Sequence, residues 1–220
     1  MLNWLRSKAP PIHQLINQFN TTPLPATSTP VKECRFLAID LEMTGLNAKD
    51  NHIVSIGWVP IAQGEIVLSQ AKHYLVHTPG SVGQSAVFHG VHDKHLKNAI
   101  DLPQVLEELL SHYAGYIFVA HHSQLDQRFL QVACQRHFGR APKFKFIDTL
   151  NIELKKLQQQ GTVMTTDALR LPQCLKRHHL PQGQLHHALE DAYGCALLLL
   201  SQMKKGKNQL TLSDLLIQAA

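Results

Sequence analysis

Two acids, Asp40 and Glu42, stand two positions apart in "FLAIDLEMTGL" (residues 36–46), inside an apolar run that otherwise reads as a buried strand. Alternate side chains of a strand leave on one face, so both carboxylates would project side by side. Gly45 follows, able to turn the chain sharply. On spacing alone an exposed strand end accounts for the pair as well as a site does. Asp126 adds weight to a site. It lies near the start of a helix predicted after the short buried strand "YIFVA" (116–120), at a strand end of the kind where α/β proteins gather their sites. Asp191 occurs in "HHALEDAYGCALLLL", an apolar helix in which a charged residue needs a reason to face inward. Four converging carboxylates repel one another unless cations neutralise them. Hard divalent ions with oxygen ligands, Mg²⁺ or Mn²⁺, suit such a set.

The elements that must carry these acids can be read along the chain. Ile12, Leu15, Ile16 and Phe19 fall at helical spacing after two prolines, predicting a short amphipathic helix. "NTTPLPATSTPV" then reads as a linker, so the helix and linker of residues 1–32 are either a docking arm or a segment packed on the outside of the domain; the compact domain is expected over 33–203, with 204–220 a tail or short helix. "CRFLAIDLE" is a strand apolar enough for the middle of a sheet covered on both faces. Residues 52–61 and 65–76 are predicted as two further strands joined at Gln63-Gly64 in an antiparallel hairpin. Helices are expected near 84–89 and 93–98, in "LPQVLEELLSHY", over 123–138 with Ser123 as its cap, and near 149–159, 171–178 and 187–203, with "KFKFID" as the last strand. Asp148 reads as a helix cap rather than a further ligand, and Ser213 as the cap of a terminal helix. A meander of strands followed by strands alternating with helices describes an α/β domain with a mixed sheet.

Composition bounds the reading. With 220 residues and 44% hydrophobic content the chain can bury an ordinary core. The longest apolar run, "ALLLL", is far short of a membrane span, and the N-terminus lacks a secretory pattern, so a cytoplasmic location is expected. Four cysteines without a C-x-x-C pair read as buried free thiols. The net charge of +5 suits an anionic partner, although the basic residues are scattered. Fifteen histidines invite a metal-carrier reading, but none falls in an H-E-x-x-H or Cys/His cluster.

Three segments together resemble a known family. "FLAIDLEMTGL" is similar to D-x-E-T-T-G, the first motif of the DnaQ-like 3′→5′ exonucleases; "VAHHSQLDQRFL" resembles the second; "HHALEDA" resembles the third, H-x-A-x-x-D. This is the DEDDh signature, and "TPGSVGQSAVFHGVHDKHL" resembles the segment leading to the family's H-G-I/V box. The resemblance implies an RNase H-like fold, here a mixed five-stranded sheet flanked by helices, and a two-metal phosphodiesterase. It implies that Asp40, Glu42, Asp126 and Asp191 hold two ions and that a histidine acts as general base. Helical spacing favours His187, four residues before Asp191, whereas the family pattern selects His186. Backbone groups at Met43, Thr44 and Gly45 would meet the 3′-terminal nucleotide. Phe88 or His89 would lie near its base, with a core role for Phe88 an equal alternative, and His122 would stand near the scissile phosphate. Met43, His122 and Leu125 depart from the family's usual Thr, Asn and Phe. The implied partner is nucleic acid with a free 3′ end, DNA before RNA, with a DNA polymerase or other protein as a possible second partner and no membrane. "QLTLSDL" lacks the aromatic anchor of a sliding-clamp peptide. A catalytically silent nucleic-acid-binding module on the same fold, an RNA-trimming enzyme and any oligomeric state stay open.

Overall fold

The computed structural model describes residues 11–79, 99–161, 165, 167–183, 186–204 and 210–219. Helices expected near 84–89 and 93–98, and with them Phe88 and His89, lie outside the described residues. The elements run α1 (Ile12–Thr21), β1 (Phe36–Met43), β2 (Ile53–Ala62), β3 (Glu65–Ile66), β4 (Lys72–Leu75), α2 (Leu102–His112), β5 (Ile117–Ala120), α3 (Ser123–Phe138), β6 (Phe146–Asp148), α4 (Thr149–Gln159), α5 (Leu171–Arg177), α6 (Ala188–Met203) and α7 (Leu212–Ala219). Pairing gives the order β3-β2-β1-β5-β6, with β4 also on β2. β1 is antiparallel to β2 and parallel to β5, and β5 is parallel to β6. The sheet is therefore mixed. Because β3 and β4 share the place beside β2, it is five strands wide.

The single strand expected over 65–76 is broken opposite Pro60 of β2. Glu65 and Ile66 pair with Ala62 and Ile61, pairing resumes only at Lys72 opposite Trp58, and a short 3₁₀ turn at Leu68–Gln70 fills the gap. The N–H and C=O of one strand residue point to the same side, and the carbonyl of Pro60 accepts from Val67 N–H at 2.9 Å. The N–H that Pro60 lacks is thus missing on the side of the third strand, where the ladder cannot continue.

Strand alternation divides the core between the two faces of the sheet. Leu37, Ile39 and Leu41 point to one side with Ile56, Trp58 and Phe118, where residues of α1, α2 and α3 cover them. Phe36 and Ala38 point to the other with Val59, Ile61 and Val119, beneath residues of α6 and α7. Asp40 and Glu42 continue the series of Phe36 and Ala38, so they project on the face that α6 covers.

Both terminal segments join this core. Leu15, Ile16 and Phe19 of α1 are buried, and the Phe19 ring meets Phe118 and Phe144 edge to face. The stretch read as a linker pairs with the tail, through Val31 N–H to Leu210 O and Leu212 N–H to Thr29 O, both 2.9 Å. Thr211, not Ser213, begins α7. Its hydroxyl accepts from Asp214 N–H and its N–H donates to the Asp214 carboxylate, a reciprocal box that the sequence T-L-S-D spells out. The peptide "QLTLSDL" is in large part this cap and the first turn of α7. The four cysteines are buried and free.

Candidate active site

The site forms where β1 outruns its parallel neighbour. The β1–β5 ladder ends at Ala38 and Val119, leaving the edge of β1 beyond it free. Asp126, in the first turn of α3, fills that gap and its carboxylate accepts from the freed N–H of Leu41. Asp40 and Glu42 arrive from β1, and Asp191 from the first turn of α6. Ligand atoms of Glu42, His186 and Asp191 all lie within 4.8 Å of one another. Asp40 and Asp126 stand outside that compact group, but charge coupling ties them to it. Burial, then Asp126, Glu42 and Asp191 in turn, hold the Asp40 carboxyl well above the usual range. Glu42 is pushed up to about 7 by burial and by Asp191. Burial also raises Asp126, with Asp148 and Glu42 adding to it, against hydrogen bonds from its own amide and that of Leu41. Asp191 is raised by burial, against hydrogen bonds and charge from His186 and His187. Among the described residues no Lys or Arg forms a salt bridge with any of the four. Acids crowded together without a cation, beside an imidazole, are a donor set that fits a hard divalent ion.

The two adjacent histidines separate in space. His186 lies before α6 with φ 59°, a left-handed conformation costly for a non-glycine residue, and its N–H donates to Asp191 Oδ2 at 2.9 Å. His187 is the N-cap of α6: its Nδ1 accepts from Glu190 N–H, and its ring packs on His73 at 4.4 Å between centroids. Of the two, His186 is the one in the ligand group.

A carboxylate outside the cluster fixes the approach of Asp126. Asp148, at the end of β6, accepts from Leu150 N–H as the cap of α4, and from His122 N–H, Ser123 N–H and the Ser123 hydroxyl at 2.8–3.0 Å. α3 is therefore capped from β6 and not by Ser123, which is itself inside the helix. His122 is the N-cap residue, with φ 77°. The turn after β1 is closed by Thr44, whose N–H donates to His52 O and whose hydroxyl donates to Asn51 and accepts from His52 N–H. A side chain at position 45 would meet Asn51 at 2.5 Å, so Gly45 lets the turn close. Met43 follows a register shift in β1 and packs against the core of the α1–α3 face.

An open mixed sheet with acids gathered at the end of its central strand is the architecture of an α/β protein of the RNase H-like fold. The exonuclease family model (RNase_T) matches residues 37–199, and the chain belongs to that family, the DnaQ-like 3′→5′ exonucleases. Among curated proteins it is similar to DNA polymerase III PolC-type of Thermotoga petrophila, 29% identical over 174 residues, covering 77% of this chain and 12% of the relative. It is also similar to 3′-5′ exonuclease DinG of Staphylococcus haemolyticus, 27% identical over 172 residues, covering 77% of this chain and 18% of the relative. The chain thus spans a small part of the length of these relatives. Solved structures share the fold. Exonuclease X in complex with 5′ overhanging duplex DNA superposes with a TM-score of 0.62 at 22% identity, over 85% of this chain and 99% of that one. E. coli Exonuclease I in complex with an oligonucleotide gives 0.65 at 12% identity, over 76% and 40%.

Proposed function

We propose that this protein is a metal-dependent 3′→5′ exonuclease of the DEDDh type that removes nucleoside 5′-monophosphates from single-stranded nucleic acid, with DNA preferred. The observation that carries the reading is the convergence of Glu42, Asp191 and His186 within 4.8 Å, with Asp40 and Asp126 coupled to them by charge. Asp40, Glu42, Asp126 and Asp191 hold two divalent ions, Mg²⁺ or Mn²⁺. Bound there, the ions supply charge neutralisation for an in-line displacement at phosphorus and lower the cost of ionising a water. His186, exposed at the rim of the carboxylate group, takes the proton from the attacking water, and Asp191 steadies the loop that carries it by accepting the His186 N–H. The turn at Met43, Thr44 and Gly45 presents backbone to the 3′-terminal nucleotide, and His122, the N-cap residue of α3, is assigned to the scissile phosphate. The preference for DNA rests on the names of the relatives, which include DNA polymerases and an exonuclease bound to DNA. The same names make a DNA polymerase the protein partner to look for first.

The test is incubation with 5′-labelled single-stranded DNA and RNA in the presence of Mg²⁺, Mn²⁺ or a chelator. The expected result is a ladder shortened from the 3′ end, only with metal and faster on DNA. Binding without cleavage in any condition overturns the enzyme reading in favour of a silent module, and faster RNA trimming reverses the substrate preference.

A further inference from the structure

The helix that brings Asp191 to the cluster rests on a strand residue that has no side chain. Gly57 lies in β2 between two partners, Asp40 of β1 on one side and His73 of β4 on the other. A Cβ built at Gly57 would lie 2.2 Å from Leu189 N, 2.3 Å from Ala188 C and 2.5 Å from Ala188 O. All three are backbone atoms in the first turn of α6, so nothing at the end of a flexible side chain can swing aside. Alternation along β2 puts Ser55, Gly57, Val59 and Ile61 on the face that α6 covers. A glycine inside a strand marks a close backbone approach, and here the approaching backbone is the one between His186 and Asp191.

A second contact braces the same turn. The His187 ring, which caps α6, packs on His73 at 4.4 Å, and His73 Nε2 is 2.8 Å from the hydroxyl of Ser55, a residue only 1% exposed. Ser55 is in turn the cross-strand partner of Glu42. Two neighbouring rungs of the sheet therefore each join a carboxylate of β1 to the start of α6. One runs Asp40, Gly57 and His73; the other runs Glu42 and Ser55, then through His73 to His187.

We propose that Gly57, braced by His73, is a positioning residue that sets the separation between the β1 carboxylates and the α6 pair His186 and Asp191. It touches no ligand. Its role is to let the first turn of α6 sit directly on the β2 backbone, and any side chain at position 57 lifts that turn by about 1 Å, a displacement of the size that costs on the order of 100-fold in a reaction that depends on geometry. The inference rests on the reading of the carboxylate cluster as a metal site, and its test measures metal binding apart from cleavage.

The experiment compares the full chain with Gly57→Ala, His73→Leu and Gly139→Ala. Gly139 ends α3 with open space around it and a left-handed backbone of φ 68°, so its replacement costs stability away from the site and controls for destabilisation alone. Thermal unfolding checks folding, titration with Mn²⁺ alone, followed by the loss of the free-ion paramagnetic signal, gives affinity, and 5′-labelled single-stranded DNA gives kcat and KM. Gly57→Ala is expected to weaken Mn²⁺ binding at least about tenfold and to lower kcat on the order of 100-fold with KM nearly unchanged. His73→Leu should show the same pattern at about a tenth of the size, and Gly139→Ala should leave Mn²⁺ binding and kcat as they are. A folded Gly57→Ala protein that binds Mn²⁺ like the native chain overturns the proposal. Should Gly57→Ala fail to fold, His73→Leu decides, and unchanged Mn²⁺ affinity and kcat in it overturn the proposal. A native chain that binds Mn²⁺ but cleaves nothing defeats the exonuclease reading instead, while the Mn²⁺ comparison still tests Gly57.

Discussion

Asp148 shows how much one carboxylate outside the reacting group can settle. It is 5% exposed, and its two oxygens accept three backbone N–H groups and one hydroxyl from the starts of α3 and α4. Helix starts leave N–H groups unpaired, and a buried anion aimed at two of them meets both that need and the dipoles. The arrangement also holds His122 in its left-handed conformation and so fixes where the first turn of α3 delivers Asp126. Asp148→Ala should strip acceptors from buried donors and lower the unfolding free energy by about 2–4 kcal/mol, read from urea denaturation. Because α3 then loses its anchor, Mg²⁺-dependent cleavage should fall as well. A variant as stable and as active as the native chain would show that Asp148 contributes no more than an exposed cap does, contrary to its four donors.

Among the elements, α1 illustrates a helix whose composition understates its role. Ile16 is fully buried and Leu15 and Phe19 nearly so, in the cluster that holds Trp58 and Phe118. Asn17 and Asn20 tie the helix to the segment after α3, accepting from Arg140 and from Lys143 N–H. Ile16→Ala should therefore cost about 2–5 kcal/mol of stability, the usual range for emptying a packed site, while kcat at a temperature where the variant is folded stays as in the native chain. A loss below about 0.5 kcal/mol in urea denaturation, the range of ordinary surface substitutions, would mean that α1 only leans on the domain. The sequence showed the amphipathic spacing of this helix but left its destination open between a docking arm and the outside of the domain, because a Pro- and Thr-rich stretch reads as a linker whether it is solvated or, as here, paired with the chain's own tail. The same limit explains the other differences. Strands β1, β2 and β5 and the helices carrying Asp126 and Asp191 were legible from continuous apolar runs and helical periodicity. The break between β3 and β4 was not, since it depends on which side of β2 the missing N–H of Pro60 faces. Nor was the capping of α3 from β6, a contact between Asp148 and residues 25 and 26 positions earlier.

At the scale of the whole molecule the charges are arranged against the fold. A chain of net charge +5 concentrates four carboxylates at the end of its central strand; burial raises all four, and repulsion from neighbouring carboxylates adds to the rise of Asp40, Glu42 and Asp126. Without metal, the native state then binds more protons than the unfolded chain between the ordinary carboxylate range and the raised one. For Glu42 that window runs from 4.5 to about 7, and the other three shift in the same direction. Stability therefore falls as pH rises through the window. Histidines work the other way: His73, lowered to about 4 by burial and by His187, and His52, His121 and His137, each lowered chiefly by partial burial, contribute stability that is lost as pH falls below 6.5. At pH 6.5 an unfolded imidazole is still half protonated, so each histidine adds only a small further gain above that pH, against which the larger loss from the acids dominates. In chelator the melting temperature should drop from about pH 6.5 to about pH 8, and Mg²⁺ should raise it more at the higher pH, because an ion binding only the folded state stabilises it by mass action and favours the ionised carboxylates. Asp126→Asn should flatten the drop, since it removes one of the shifted groups while leaving the histidines in place. Calorimetry at the two pH values, with and without Mg²⁺, decides the matter. A metal-free melting temperature that is flat or rising over this interval would mean that the four acids are already neutralised by something other than a divalent ion.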